Sequence, residues 1–215
     1  ARDAERKHGL PEGLLVGIAL NESGLHAHAL SIGGRAYYPE SRAEAVRLKA
    51  VLDGLVDPGP PACINDLPGF CRTFLGWGPE HLRGSAGGPP LPEGLDVSLP
   101  EYGEVLSPTY AVPDGDREDQ WLMLVQALAR TADFDTVEDE RQSNDRAWHA
   151  SPQARFERLL REREVPIGLL WNGKHLRLVY APRGESSGHV TFPVAAMLEV
   201  QGRSILGALH MLLSG

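Results

Sequence analysis

Apolar residues fall at helical spacing in five stretches of this chain and crowd into strand-like runs in four others. Leu14, Leu15, Ile18 and Ala19 share one helical face, with Pro11 where a first turn tolerates it and Gly24 as a C-cap. A second helix is predicted over 41–55. There Ser41 and Glu44 read as a capping box, and Ala45, Val46, Leu48, Val51 and Leu52 form the apolar face. A short apolar helix follows over 67–77. Ser151 opens another, with Pro152 at its first position and Phe156, Leu159 and Leu160 as its buried stripe. The last helix covers 203–213.

The predicted strands are Val105 to Val112 and Trp121 to Gln126, separated by the turn PDGDRED, and then Ile167 to Leu170 and Leu176 to Tyr180. The last two flank WNGKH, whose Asn172-Gly173 pair is a strong hairpin signal. Turn-rich DPGPPA (57–62) and GSAGGPPLPEG (84–94) interrupt the pattern, and the first suggests a boundary near residue 60. The fold class is α+β: a helical segment over 1–60, then a mixed α/β region over 61–215.

Composition narrows the class. The chain has 215 residues, 42% hydrophobic and 23% charged, as in an ordinary globular protein. No apolar run approaches a membrane span and no signal peptide is recognisable, so the expected location is the cytoplasm, away from membranes. Cys63 and Cys71 are too few for a disulfide framework or a zinc site and are expected to be reduced. Net charge is −8, which argues against avid DNA binding by the whole chain. The charge is uneven: residues 89–140 carry 13 acidic and 2 basic side chains, residues 141–215 carry 10 basic and 6 acidic. Clustered cations at the C-terminal end therefore keep DNA contact open.

The segment HGLPEGLLVGIALNESGLHAHALSIGGRAYYPESRAEAVRLKAVL resembles the opening helices of lytic transglycosylases, a truncated lysozyme-like fold. The resemblance places Glu22, followed by Ser23 and Gly24, where that family keeps its acid catalyst. Such chemistry needs a carboxylic acid held protonated by partial burial. Of the strand that continues the groove in that family, only Gly59 and Ile64-Asn65 have counterparts here. His26 and His28 lie close by, but their spacing fits neither the helical two-His motif nor a zinc finger, and no metal is expected.

The rest of the chain, from residue 66 and most clearly over Trp148 to Leu213, resembles the region ahead of the catalytic core in class I SAM-dependent DNA methyltransferases of restriction-modification and phage-defence systems. The resemblance implies a restriction-endonuclease-like, PD-(D/E)XK-type domain. That fold holds Mg²⁺ with an Asp on one strand and a Glu-X-Lys on the next. The matching positions here are Thr109, Gln126 and Leu128, none of them charged, so the site reads as degenerate. Asp114 and Asp116 are the nearby carboxylates that could substitute. Neither an NPPY-like tetrapeptide nor a Gly-rich SAM loop occurs, so SAM belongs to a missing methylase core and no cofactor is expected in this chain.

The expected reading is a non-catalytic DNA-recognition or accessory region, with DNA and a downstream methylase domain or subunit as partners. Candidate DNA contacts are Arg155, Arg158, Arg161 and Arg163 on one helix, with Arg177 and Arg183 beyond it. A salt-bridged solvent face, pairing Arg158 with Glu162 and Glu157 with Arg161, accounts for the same residues. The Gly- and Ser-rich APRGESSGHVTF lacks P-loop spacing and reads as a tight connection between strands. Two alternatives stay open: a peptidoglycan transglycosylase acting through Glu22, or a fusion of unrelated pieces without native function. For the first, the missing groove wall decides the expectation, because an acid cannot act on a glycan that nothing orients. Peptidoglycan incubated with the protein should yield no anhydro-muropeptides, with Glu22 intact or after Glu22→Gln. Release that depends on Glu22 would establish the glycosidase.

Overall fold

The computed structural model describes residues 31–32, 35–36, 42–115, 117, 120–137, 148–199 and 202–214. The helix expected around Leu14 to Ala19, together with Glu22, His26, His28 and Asp116, lies outside the described residues. The chain is a mixed α+β protein that divides into two compact units. One comprises Ala1–Gly78, Gly173–Arg177 and Gly188–Gly215; the other comprises Pro79–Asn172 and Leu178–Ser187. The boundary expected near residue 60 falls inside the first. No helix among the described residues is long and apolar enough to cross a membrane.

Among the described residues of the first unit is a short antiparallel pair, β1 (Ser31–Ile32) and β2 (Arg35–Ala36). Helix α1 (Arg42–Leu55) follows, close to its expected span. Leu48 and Leu52 are buried as the pattern requires, whereas Val46 is 52% exposed and does not belong to the buried face. Strands β3 (Val56–Asp57) and β4 (Cys63–Ile64) pair antiparallel around the DPGPPA turn. Helix α2 (Leu67–Phe74) is shorter than expected. Asp66 caps it, accepting from the Gly69 N–H at 2.9 Å. Phe70 and Phe74 stack at 4.9 Å, and the Trp77 indole donates to the Leu213 carbonyl at 2.6 Å in a buried bond. That bond fixes the end of the closing helix, α5 (Arg203–Leu213), which also meets α1 and the short helix α4 (Val194–Leu198). Cys63 and Cys71 are free and buried, and burial pushes the Cys71 thiol up to about 12.

A five-stranded sheet runs in the order β11-β10-β9-β8-β7. Its members are β7 (Tyr110–Pro113), β8 (Trp121–Ala127), β9 (Ile167–Trp171), β10 (His175–Tyr180) and β11 (Gly188–Pro193). The chain passes from the first unit to the second within β10, between Arg177 and Leu178. Strand β11 and helix α4 were not foreseen as elements; they lie where a tight connection was expected to end.

In the second unit β7 and β8 pair antiparallel, with Tyr110 opposite Val125. The register shifts at Val112/Pro113, because Pro113 has no N–H for the ladder. β8 and β9 pair parallel, with Leu124 opposite Gly168. A parallel neighbour needs a crossover, and helix α3 (Pro152–Arg163) lies between the two strands in the chain. Ser151 caps it, accepting from the Ala154 N–H at 3.3 Å, and Pro152 stands in its first turn. Phe156, Leu159 and Leu160 are all buried in one apolar cluster with Leu124 and Leu170.

The strand expected over 105–112 is two strands in different sheets. β6 (Glu104–Leu106) pairs with β5 (Val97–Leu99), and β7 starts afresh at Tyr110. Pro108 is the break, since it cannot donate and it restricts Ser107. The β9–β10 connection does turn at Gly173, with φ of 84°. Asn172, however, is not in the left-handed region. It is buried and donates to the Ala132 carbonyl at 2.9 Å, so it serves as an anchor rather than as a turn former.

Gly168 is where sheet and helix come closest. A Cβ there would overlap the Phe156 ring and come within 2.9 Å of Leu160 Cδ1. Overpacking of this kind costs about 1–3 kcal/mol. Gly168→Ala should therefore lower unfolding free energy by about that amount in urea denaturation. A change within about 0.5 kcal/mol, as for an indifferent surface site, would mean that helix and strand are not in this contact.

Candidate functional site

A cleft of about 570 Å³ opens in the second unit, at the Ala127 end of β8. Its apolar lining comes from Leu106, Leu128, Phe156 and Leu159, and its polar lining from Glu104, Ser107, Gln126, His149 and Arg155. Trp148 also lines it, stacked on Tyr102 with ring centroids 5.6 Å apart. Sites for small organic ligands occupy about 300–1,000 Å³ and mix an apolar wall with a few polar groups; this cleft falls in that class.

The charges at its edge cancel. Arg155 projects from the first turn and a half of α3 onto Glu104 at the start of β6, Nη1 to Oε2 at 2.8 Å and Nη2 to Oε1 at 3.3 Å. The same guanidinium donates to the Trp148 carbonyl at 2.8 Å and to the Ala150 carbonyl at 3.3 Å. Glu104 Oε1 in turn accepts from the Trp148 N–H at 3.1 Å. One ion pair thus fixes a helix, a strand and the 148–150 segment. Forked Arg–carboxylate geometry makes it stronger than a single contact.

On the β8 side of the cleft, Gln126 Nε2 donates to Thr109 Oγ1 at 3.3 Å and lies 3.4 Å from the Ala127 carbonyl. Thr109 Oγ1 also accepts from the Ala127 N–H at 2.9 Å. The carbonyl of Ala127 can only accept, so the amide must face it with nitrogen. Gln126 Oε1 is left without a partner among the described residues. Leu128 follows directly, its N–H bound to the Trp171 carbonyl at 2.8 Å.

The positions singled out from sequence therefore separate into groups. Thr109 and Gln126 are in contact, and Gln126 and Leu128 line the same cleft. Asp114 is not near them: it follows the opposite end of β7 from Thr109, roughly 16 Å away at strand rise. It receives Arg117 at 4.0 Å instead. Among the described residues no three of His, Cys, Asp and Glu gather as a metal set.

The six candidate arginines each have an acceptor within the chain. Arg158 pairs with Glu162 at 2.9 Å and approaches Glu101 at 3.8 Å. Arg161 meets Glu157 at 3.3 Å, and Arg183 meets Glu164 at 2.8 Å. Arg163 donates to the Gly94 and Asp96 carbonyls at 2.6 and 2.8 Å. Arg177 is buried, donating from Nε to Thr191 Oγ1 at 2.8 Å, and cannot present a charge to a phosphate. Glu104, Trp148 and Tyr102 are the site residues that sequence reasoning missed. Glu104 and Arg155 lie 51 positions apart, and no local pattern links them. No protein-family model, curated protein or solved structure matches the chain.

Proposed function

We propose that the chain is a non-catalytic DNA-recognition or accessory region of a restriction-modification or phage-defence DNA methyltransferase, built on a degenerate PD-(D/E)XK-like site. The observation that carries the reading is the contact between Thr109, just before β7, and Gln126 on β8, with Gln126 lining the cleft. Those are the two positions where the resemblance puts metal-binding carboxylates, and Leu128, in the lysine position, lines the same cleft. A threonine and an amide bind a hard dication poorly, and no base remains to activate water.

The engaged arginines support an accessory role over a strong grip on DNA. A phosphate would have to displace Glu157, Glu162 or Glu164 from its partner, so binding is expected to be weak and sensitive to salt. The −8 net charge works in the same direction.

Supercoiled plasmid incubated with the protein and Mg²⁺ should remain uncut. The variant combining Thr109→Asp, Gln126→Glu and Leu128→Lys should acquire Mn²⁺ binding detectable by calorimetry, because two carboxylates would then face each other across hydrogen-bond distance. Cleavage by the natural chain that disappears with Asp114→Ala or Asp116→Ala would overturn the assignment of these positions. Failure of the folded triple variant to bind metal would remove the nuclease-like ancestry.

A further inference from the structure

We propose that the cleft of the second unit holds an unstacked nucleobase, its ring against Trp148 and its exocyclic amine on Gln126 Oε1. The lining selects the chemistry. Glu104 and Arg155 neutralise each other, so an anionic or cationic ligand finds no counter-charge from them. The ligand part that enters is uncharged. Trp148, stacked on Tyr102, is partly buried and lines the cleft, so its indole offers an aromatic wall to a flat partner. Stacking of a base on an aromatic side chain is favourable for any base, because every base has a π-face.

Gln126 adds direction. Its amide nitrogen is held by Thr109 and faces the Ala127 carbonyl, so the atom offered to a ligand is the acceptor. A donor at the ring edge, such as the amine of adenine or cytosine, satisfies it. Leu106, Leu128, Phe156 and Leu159 exclude water from the ring below. An alkyl chain would leave Gln126 unsatisfied, and a phosphate would meet an oxygen acceptor where it needs a donor. A nucleobase satisfies both the aromatic face and the amide. The origin of that base, from a DNA strand rather than a free nucleoside, rests on the DNA-accessory reading above; the chemistry of the cleft does not.

Fluorescence titration of the full chain separates the two. Adenosine and a short adenine-containing single-stranded oligonucleotide are tested beside purine riboside, which lacks the amine. Adenosine should bind saturably, and purine riboside about fivefold more weakly, the worth of one hydrogen bond. Gln126→Leu should remove that difference. Trp148→Ala should weaken both ligands at least about fivefold, while Trp148→Phe, which keeps a stacking ring should the alanine variant fail to fold, retains most of the affinity. Adenosine binding with these sensitivities, but no binding of the oligonucleotide, would uphold the base site and remove the DNA-accessory reading. Oligonucleotide binding unchanged by Gln126→Leu and by Trp148→Ala, without adenosine binding, would overturn the base site and leave that reading standing. Absence of binding by every ligand would overturn the base site.

Discussion

The pairing of Glu104 with Arg155 is the constraint on which the second unit's cleft depends. Both side chains are partly exposed, 20% for Glu104 and 38% for Arg155, so the pair does not carry the full desolvation cost of a buried ion pair. Its value lies in what else it holds. Arg155 also satisfies the carbonyls of Trp148 and Ala150, and Glu104 satisfies the Trp148 N–H. Without the guanidinium, a carboxylate and two carbonyls would lose donors together, and the Trp148 segment would lose its tether. The surface pair Arg158–Glu162 joins residues of the same helix, and beyond it Arg158 only approaches Glu101 at 3.8 Å.

Behind that pair stands an apolar sheet-and-helix layer that makes the cleft possible. Residues Ile167 to Leu170 of β9 are buried without alternation, as for a strand covered on both faces. Gly168 lets α3 approach so closely that Phe156 fills the space a side chain would occupy. The helix is thereby held with its first turns toward β6, where Arg155 finds Glu104. The end of β8 lies in the same place, bringing Gln126 beside Thr109 across the β7–β8 pair. A crossover helix, a parallel pair and an antiparallel pair converge on one cleft, where Gln126 and Leu128 contribute to the lining.

Much of the second unit was legible because its signals are local. Ser151 with Pro152, followed by Phe156, Leu159 and Leu160, defines α3 by cap and periodicity alone, and the structure buries that stripe. The apolar run from Trp121 emerges as β8, and the Arg158–Glu162 and Glu157–Arg161 pairs form as i,i+4 spacing suggests. What was not legible depends on distant partners. Pro108 lies within a run that reads as one strand, yet it splits that run between two sheets. Asn172-Gly173 marks the turn between β9 and β10, but nothing local shows that Asn172 also reaches the Ala132 carbonyl, 40 positions earlier. Likewise the arginine cluster presents its charges inward or sideways, to acceptors that spacing along one helix cannot show.

A double-mutant cycle on Glu104 and Arg155 tests most directly whether this pair builds the cleft. Unfolding free energies of Glu104→Ala, Arg155→Ala and the double variant give the coupling, with Arg158 and Glu162 as the reference cycle. Coupling above about 1 kcal/mol is expected for Glu104–Arg155, as for charge-assisted bonds with shared partners. The reference pair should show about 0.3–0.5 kcal/mol. Additive effects at Glu104 and Arg155, or coupling no larger than in the reference pair, would contradict it.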